Sequence, residues 1–350
     1  MIHTIRTISQ QLVKPAFENA KDVVSWMGAI QAQDYNMCKW AIGVRLKSAT
    51  ISDVETALRK GEILRTHVMR PTWHLVAAED IRWMLDLCKE KIKAASASRD
   101  KYLEITEKLF SQTNNLIAKM LEGNNHLTRC EIADNLNKSG IKINAARMVH
   151  FMYRAEAEGI VCSGADKEKQ QTYALIDERI KATKKLNKDE ALVKLATKYF
   201  KSHSPACLHD FNWWSGLSIV DSKLAINLID SDLIKEKTST SILFIHKSVK
   251  LKSDFEECAC LLPAFDEYII SYKNRDSVID RQYQAQAFTK NGIFHPVIMY
   301  NGKITGIWNK IINKNRVEIK KQLFDEKLKI KSELLRKSEN KYMSFLSHPK

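Results

Sequence analysis

Two stretches of the chain repeat one order of residues with equal spacing. Thr128 and Ser204 are helix-cap residues, and each is followed twelve positions later by a glycine, Gly140 or Gly216, and then by an apolar residue. In each stretch a second helix and two short β-forming runs come next. This order of helix, turn, helix and β-hairpin is typical of a winged helix-turn-helix. Equal spacing indicates that one structural unit is used more than once.

The first stretch also predicts its own packing. Thr128 and Glu131 have the spacing of a capping box, in which cap and third residue bond each other's main chain. The second helix should run from about Asn144 to Glu158 and end before Gly159. Its spacing predicts that Ala145, Met148, Val149, Met152 and Ala155 are buried and that Arg147 and Arg154 are exposed. In the second stretch, Ser204 is the predicted cap, with Asp210 matching Asp134, and the second helix spans about 218–229.

The predicted fold class is α+β, mainly α, with tandem winged helix-turn-helix motifs and a C-terminal β element. Four regions are expected: 1–122, 123–185, 186–250 and 251–350. The first, which carries a hairpin of its own, is a candidate third and more diverged copy. In the last, Asn301-Gly302 is a strong hairpin signal, and a basic terminal helix is expected from Lys327 onward.

The charge balance indicates a polyanionic partner. The chain has 56 Lys and Arg against 41 Asp and Glu, a net charge of +15. DNA and anionic membrane are the competing polyanions. No apolar run reaches the ~20 residues of a membrane-spanning helix, and the N-terminus has no signal-peptide core. A cytoplasmic protein without membrane contact is expected.

Few residues suggest a metal or a cofactor. The seven cysteines are scattered and form no C-x-x-C pair, which favours reduced, packed thiols. Cys258 and Cys260 could chelate a metal, but a buried strand face is the preferred interpretation. Cys207 and His209 are interpreted as a packed thiol beside a surface histidine, and Asp266-Glu267 as caps or ion-pair partners of the β element. We therefore expect no metal and no cofactor.

A short glutamine-containing corner lies between two predicted amphipathic helices. The helices are expected over about 20–30 and 37–46, and Asp34 is placed to cap the second one. Gln31 and Gln33 therefore lie at a junction, where two amides can point into one cleft. From these residues alone, an ordinary surface corner is the preferred interpretation.

A basic ribbon follows the predicted helix that ends at Gly61. Residues 63–76 are rich in β-formers and are interrupted by Pro71, which fits a bend or an edge position. A helix begins after Glu79-Asp80, and helical sequence continues to Leu121. A solvated face and a binding face explain the ribbon's polar residues equally well: Arg65, His67, Arg70, Thr72 and His74.

Five motifs in order resemble the AlkZ-like winged-helix DNA glycosylases, a family that includes an enzyme that unhooks interstrand crosslinks. They are Gln31-Ala-Gln-Asp34, Met69-Arg-Pro-Thr-Trp-His-Leu-Val76, Asp210-Phe-Asn-Trp-Trp-Ser-Gly216, Leu261-Leu-Pro-Ala-Phe-Asp-Glu-Tyr268 and Asn301-Gly-Lys-Ile-Thr-Gly-Ile-Trp308. The resemblance implies three tandem winged helices around a concave DNA channel. Pro71 and Trp73 depart from the family's usual glycine and leucine, which bears on the ribbon's path and on substrate size.

The resemblance also assigns roles. Gln31-Ala32-Gln33 is similar to the family's double-glutamine catalytic signature, with Gln33 expected to position water and Gln31 to act beside it near the sugar. Arg65, His67, Arg70, His74 and Arg147 are the expected DNA-binding residues. The implied activity is that of a monofunctional DNA glycosylase, a hydrolase of base-excision repair that removes cationic N7- or N3-alkylated purines. Interstrand crosslinks are a further candidate substrate. The expected partner is double-stranded DNA carrying alkylated bases, bound by a monomer.

The sequence leaves two other functions open. A non-enzymatic winged-helix DNA-binding protein or transcriptional regulator is the main alternative, with helix 144–158 as its recognition helix, because the fold alone implies no chemistry. A metal hydrolase has little support, since the sequence contains neither H-E-x-x-H nor C-x-x-C.

Overall fold

The computed structural model describes residues 2–70, 72–168, 170–250, 256–313 and 316–347. Pro71, which was expected to affect the path of the ribbon, lies outside the described residues. The chain forms two compact units. The terminal unit comprises Met1–Glu55 and Leu192–Lys350, and the central unit comprises Thr56–Ala191. About half of the described residues are helical, and the strands form small antiparallel sheets, so the mixed, helix-rich class is confirmed.

The helices, in chain order, are α1 (Ile2–Ser9), α2 (Ala20–Met27), α3 (Tyr35–Gly43), α4 (Ile51–Lys60), α5 (Ile81–Tyr102), α6 (Glu107–Leu121), α7 (Arg129–Lys138), α8 (Ala145–Ala157), α9 (Ile176–Arg179), α10 (Lys188–His203), α11 (Leu208–Ser215), α12 (Ile219–Leu228), α13 (Glu267–Ile270), α14 (Gln284–Ala287) and α15 (Ser332–Leu346). The strands are β1 (Ile30–Gln31), β2 (Ile63–Val68), β3 (Thr72–Ala77), β4 (Leu127–Thr128), β5 (Val161–Ser163), β6 (Thr172–Leu175), β7 (Ala206–Cys207), β8 (Leu233–Lys237), β9 (Ile242–His246), β10 (Ala259–Leu262), β11 (Val297–Tyr300), β12 (Lys303–Asn313) and β13 (Arg316–Leu323).

The first repeat, residues 127–175 in the central unit, has the predicted order of elements. Thr128 and Glu131 form the capping box at the start of α7, and Asn144 caps α8 through Arg147 N–H. The hairpin strands β5 and β6 follow, and β4 pairs with β6. The core of the repeat is apolar and includes Ile132, Leu136, Met148, Phe151 and Met152.

Three residues of α8 do not lie where the apolar spacing placed them. Ala145 is exposed and Val149 is 47% exposed, whereas Arg154 is buried. Arg154 donates to Glu107 at 2.7 and 3.0 Å, and its guanidinium lies 3.9 Å from the ring centroid of Phe110. The helix is therefore rotated from the predicted face, because an arginine paired with an acid packs on an aromatic ring.

The second repeat, residues 206–246 in the terminal unit, has the same sheet order: β7-β9-β8 matches β4-β6-β5. The predicted cap is wrong. Cys207, not Ser204, precedes α11, and its N–H donates to Asp210 Oδ2 at 3.1 Å. Asp210 therefore corresponds to Glu131 at the third helical position, not to Asp134. The second helix, α12, begins after its cap Ser218, as predicted.

The C-terminal sheet has the order β10-β11-β12-β13. Asn301 and Gly302, at φ 47° and 80°, form the predicted two-residue turn between β11 and β12. Two indoles anchor this sheet, since Trp40 Nε1 donates to Leu261 O at 2.7 Å and Trp308 Nε1 to Leu262 O at 2.8 Å. The terminal helix packs beside them through Tyr342, and it begins at Ser332, later than Lys327.

Two further helix boundaries differ from the predictions. The helix that precedes Gln31 ends at Met27, so Ile30 belongs to β1 and not to α2. The helical sequence to Leu121 is interrupted, because α5 ends at Tyr102 and Glu104 has a positive φ of 55°. The four-region division of the chain and the third copy of the repeat stay predictions.

Candidate active site

The glutamine corner lies in the terminal unit, between α2 and α3. Gly28 ends α2 at φ 79°, and a side chain there would meet Trp214 at 3.3 Å and Lys198 at 3.4 Å. Both the backbone conformation and the close approach require glycine. At the other end, Asp34 caps α3 as predicted, accepting from Asn36 N–H at 3.0 Å and Met37 N–H at 2.9 Å.

The two glutamines have different environments. Gln31 is 6% exposed and Ala32 is fully buried, while Gln33 is exposed. The main-chain N–H of Gln31 donates to Glu267 Oε1 at 2.6 Å. The corner thus presents the Gln33 amide to solvent from a main chain that is held in the interior.

Glu267 is the main site residue that the sequence interpretation missed. It was expected to cap or pair within the β element, and instead its fully buried carboxylate contacts the glutamine corner. Its Oε2 accepts from Trp214 Nε1 at 3.2 Å and from the Ser271 hydroxyl. His203 Nε2 lies 3.8 Å from the same oxygen. The available signal was an acid pair directly after the apolar Leu261-Leu-Pro-Ala-Phe265 run.

Asp266 behaves as the sequence predicted, as a cap and an ion-pair partner. It caps α13 by accepting from Tyr268 N–H at 2.8 Å. Arg45 donates to both of its carboxylate oxygens at 2.8 Å, and both side chains are fully buried. Burial alone would lower the pKa of Arg45, but Asp266, with a smaller effect of Glu267, raises it. The arginine therefore stays charged in the interior.

His203 lies among aromatic rings beside Glu267. Its ring stacks on Tyr199 with centroids 4.7 Å apart and planes at 10°. Burial lowers the pKa of His203, against the opposing effect of Glu267. Its Nδ1 is 2.7 Å from Ser202 Oγ. At neutral pH the imidazole is accordingly uncharged.

The basic ribbon lies in the central unit, as the hairpin of β2 and β3. Arg65 is 7% exposed, and its guanidinium lies 4.1 Å from the ring centroid of Trp73. The same group donates to Gln171 Oε1 at 2.6 Å, and the main-chain N–H of Arg65 donates to Ser163 Oγ. The larger Trp73, which departs from the family pattern, thus serves as a platform for Arg65.

His67 lies beside Arg65 on the same face and is paired with a buried acid. Its Nδ1 contacts the carboxylate of Glu156, which is fully buried, and its main-chain N–H donates to the same oxygen at 3.2 Å. The imidazole packs against Trp73, with ring centroids 3.8 Å apart, and against Tyr153. Glu156 lies on the apolar face of α8, and the sequence interpretation did not single it out.

The other predicted DNA-binding residues differ in exposure. His74 is fully buried, opposite Thr66 in the ladder, and its Nδ1 is 2.9 Å from Thr72 O. Arg70 and Arg147 are half-buried. The structure brings Arg65 and His67 together around Trp73, places Arg147 on α8, and places Gln31 and Gln33 in the other unit. Their contacts with DNA stay predictions.

Within the described ranges, no three His, Cys, Asp or Glu side chains converge as metal ligands. Burial raises the pKa of the Cys258 thiol to about 11 and of Cys260 to about 12, so both are protonated at neutral pH. Across the described helices, none combines the length and apolar character that a membrane span needs.

Comparison with known proteins identifies the family. The model of the family described as DNA glycosylase AlkZ-like matches residues 24–328. An interstrand DNA cross-link repair glycosylase of Streptomyces sahachiroi is 22% identical over 318 residues, which are 86% of this chain and 85% of that protein. The solved structure of the DNA glycosylase AlkZ of the same organism superposes with a TM-score of 0.81 at 16% identity, covering 98% of this chain and 95% of that one. The chain belongs to the AlkZ-like DNA glycosylase family.

Proposed function

We propose that the protein is a monofunctional DNA glycosylase that hydrolyses the N-glycosidic bond of cationic N7- or N3-alkylated purines in double-stranded DNA. It would act as a monomer in the cytoplasm, without metal or cofactor. The observation that carries the proposal is the exposed Gln33 amide, on a corner whose main chain a buried carboxylate holds.

The chemistry suits an amide because the substrate brings its own activation. A glutamine side chain does not titrate in the physiological range, so it is no general acid or base. An alkylated purine already carries a positive charge, and the electron pair of the breaking C1′–N bond neutralises it. The base therefore leaves without being protonated. Water adds to C1′, and its proton passes to solvent.

Under the proposal, Gln33 orients the water, and the carbonyl dipole of Gln31 lies near the sugar. Carbonyl oxygens present the negative end of a dipole to the oxocarbenium-like sugar, and dipoles fixed in advance cost no reorganisation during the reaction. The exposure of Gln33 supports its part in this division, because the outer amide is the one that water reaches.

DNA binding would use the repeats and the ribbon. We infer that the repeats are winged helices arranged with the N-terminal region around a concave channel. The net charge of +15 and the half-buried Arg70, Arg147 and His67 support phosphate contacts. Arg65 and His74, which are buried, would support the ribbon from within.

Interstrand crosslinks are the proposed further substrate. The Streptomyces sahachiroi relative is named as an interstrand DNA cross-link repair glycosylase. In this chain the double-glutamine form of the motif, Gln31-Ala32-Gln33, supports the same class of substrate. A crosslink through N7 of a purine carries the same positive charge as a methyl adduct, so the same site would release it.

The second candidate is a protein that binds DNA without cleaving any bond. The burial of Gln31 favours it, since a buried amide next to a single exposed one also describes a structural corner. Both candidates predict duplex binding that weakens steeply with salt, so binding alone does not separate them.

The test is release of 7-methylguanine from methylated duplex DNA. The wild-type protein should release it and should leave uracil in place, because uracil is neutral and needs protonation to leave. Gln33→Ala should lower the rate by about 10²-fold, the usual effect of losing one preorganised dipole. Gln112→Ala, at an exposed position of α6, is the matched control and should keep the full rate. Unchanged release by Gln33→Ala would rule out its role, and no release by the wild type would favour the second candidate.

A further inference from the structure

The carboxylate of Glu267 is surrounded by hydrogen-bond donors. Gln31 N–H and Trp214 Nε1–H donate at 2.6 and 3.2 Å, and the Ser271 hydroxyl is a third donor. Two of these three belong to groups that only donate, the amide N–H and the indole N–H. The residue is fully buried, so water does not compete for its oxygens.

This arrangement selects a carboxylate over its amide isostere. A glutamine at 267 would offer one acceptor oxygen and one NH2 group. In either orientation its NH2 would face a group that only donates, Gln31 N–H or Trp214 Nε1–H. One buried donor would then lose its partner, which is more costly than losing an exposed contact. Only a carboxylate accepts from both sides at once.

The same indole holds the corner at a second point. Trp214 donates to Glu267 through Nε1, and its ring edge lies 3.3 Å from the position that a side chain on Gly28 would occupy. Gly28 and Gln31 are three residues apart and bracket the turn that leads to Gln33. The corner is therefore held through its N–H by Glu267 and from its side by Trp214.

The neighbouring acid has a different role. Asp266 accepts from Arg45 through both of its carboxylate oxygens. Gln10 joins the two acids, accepting from Arg45 at 2.9 Å and donating to the main-chain oxygen of Glu267 at 3.3 Å. This fixes the main chain at 267 and leaves its side chain directed at Gln31.

We infer that Glu267 is a positioning residue of the reaction: its carboxylate holds the main chain of Gln31 and so fixes where the Gln33 amide points. It does not touch the substrate. The inference rests on the proposed function for its effect on rate, but the contact itself can be measured independently. A displacement of about 1 Å at a reacting group is enough to cost about 10²-fold in rate.

The first experiment measures single-turnover release of 7-methylguanine and duplex affinity for Glu267→Gln. We expect the rate constant at saturating protein to fall by about tenfold to hundredfold, and the Kd for methylated duplex to stay within about twofold. Glu18→Gln is the matched control, with the same change of charge at an exposed position paired with Lys47. It should keep the wild-type rate. An equal rate for Glu267→Gln and wild type would overturn the inference.

The second experiment is a rescue, which a general loss of stability would not give. In Trp214→Phe the indole donor is absent. In the double variant Trp214→Phe, Glu267→Gln the glutamine oxygen can therefore accept from Gln31, while its NH2 faces the Ser271 hydroxyl, which can accept as well as donate. The double variant should be faster than Glu267→Gln alone by about threefold or more, a positive coupling in the mutant cycle. Additive losses would overturn the inference.

The third experiment needs neither activity nor a variant that folds. In wild-type protein labelled with 15N-glutamine, the Gln31 amide proton should exchange with solvent at least about 10²-fold more slowly than that of Gln33, because a buried carboxylate accepts its bond. Equal exchange would overturn the inference. Slow exchange at Gln31 in a protein that releases no base would leave the Glu267 contact standing and would reject the proposed function alone.

Discussion

The two repeats have the same sheet order but use their first helix differently. At the third helical position the first repeat has Glu131, whose side chain is 37% exposed and pairs with Lys167. The second repeat has Asp210 there, 2% exposed. Asp210 accepts from Cys207 N–H and also from Lys273 N–H at 2.9 Å, and it lies 3.6 Å from Arg6. One position thus caps a surface helix in one repeat and ties three segments together in the other.

Their second helices differ as well. α8 presents Arg147 and a half-exposed Val149. α12 presents apolar side chains to solvent, with Val220 70% and Leu228 40% exposed. The first helix of the second repeat, α11, supplies Trp214 to the glutamine corner. We infer that the first repeat is the one built to meet a polyanion, and that the second supports the site.

The largest expected effect is at Asp210. Asp210→Ala should lower the free energy of unfolding by about 3–5 kcal/mol, because the buried charge of Arg6 loses its carboxylate partner and the main-chain N–H groups of Cys207 and Lys273 lose their acceptor. Urea unfolding followed by tryptophan fluorescence measures it. Glu131→Ala removes the corresponding cap of the first repeat and should cost clearly less. Equal losses of unfolding free energy in Asp210→Ala and Glu131→Ala would contradict the inferred difference between the two repeats.

The next largest effect is expected on the affinity for duplex DNA and on its salt dependence. Arg147→Ala should weaken duplex binding by roughly threefold to tenfold and reduce the slope of log K against log salt by about one, as expected for one lost phosphate contact. Lys223→Ala makes the same change of charge on α12 and should leave the slope unchanged. Fluorescence anisotropy over a salt series tests both. A reduced slope for Lys223→Ala alone would assign the polyanion contact to the second repeat.

The order of elements could be predicted because local signals determine it. The Thr128–Glu131 capping box, the Asp34 cap and the Asn301-Gly302 turn each involve residues close in sequence, and all three are present. The cap of the second repeat was mispredicted for a tertiary reason. Ser204 is buried, and its hydroxyl accepts from His246 N–H at 3.0 Å, so it serves the hairpin and not the helix.

The candidate site was predictable only in part. Sequence spacing brought attention to Gln31 and Gln33, but nothing local links them to Glu267, more than 230 positions away. The rotation of α8 had a similar cause. Arg154 and Glu156 are buried because Glu107 and His67, distant in sequence, supply their partners. Apolar periodicity treats every charged residue as exposed, so it misses buried charges that are paired.

A smaller effect is expected at the exposed apolar face of α12. Val220→Ser should change the free energy of unfolding by less than about 0.5 kcal/mol, as is usual for exposed positions, and should leave duplex affinity unchanged. Val149→Ser on α8 is the comparison, and its lower exposure predicts a slightly larger loss. A loss above about 1 kcal/mol for Val220→Ser would mean that this face is covered in solution.

The smallest effect is the acid dependence of the first repeat's cap. Lys167, and then Thr128, lower the pKa of Glu131 from 4.5 to about 2. Because the folded-state pKa is the lower one, the stabilisation is fully present above about pH 4.5 and disappears as the pH falls towards 2. The side-chain 13C shift of Glu131 should titrate near pH 2, and Lys167→Met should raise that midpoint. Since solvent reaches both side chains of the ion pair, 0.5 M NaCl should raise the midpoint too. A midpoint near 4.5 in wild type would mean that the cap of the first repeat is open in solution, and the contrast with the buried Asp210 would then be larger.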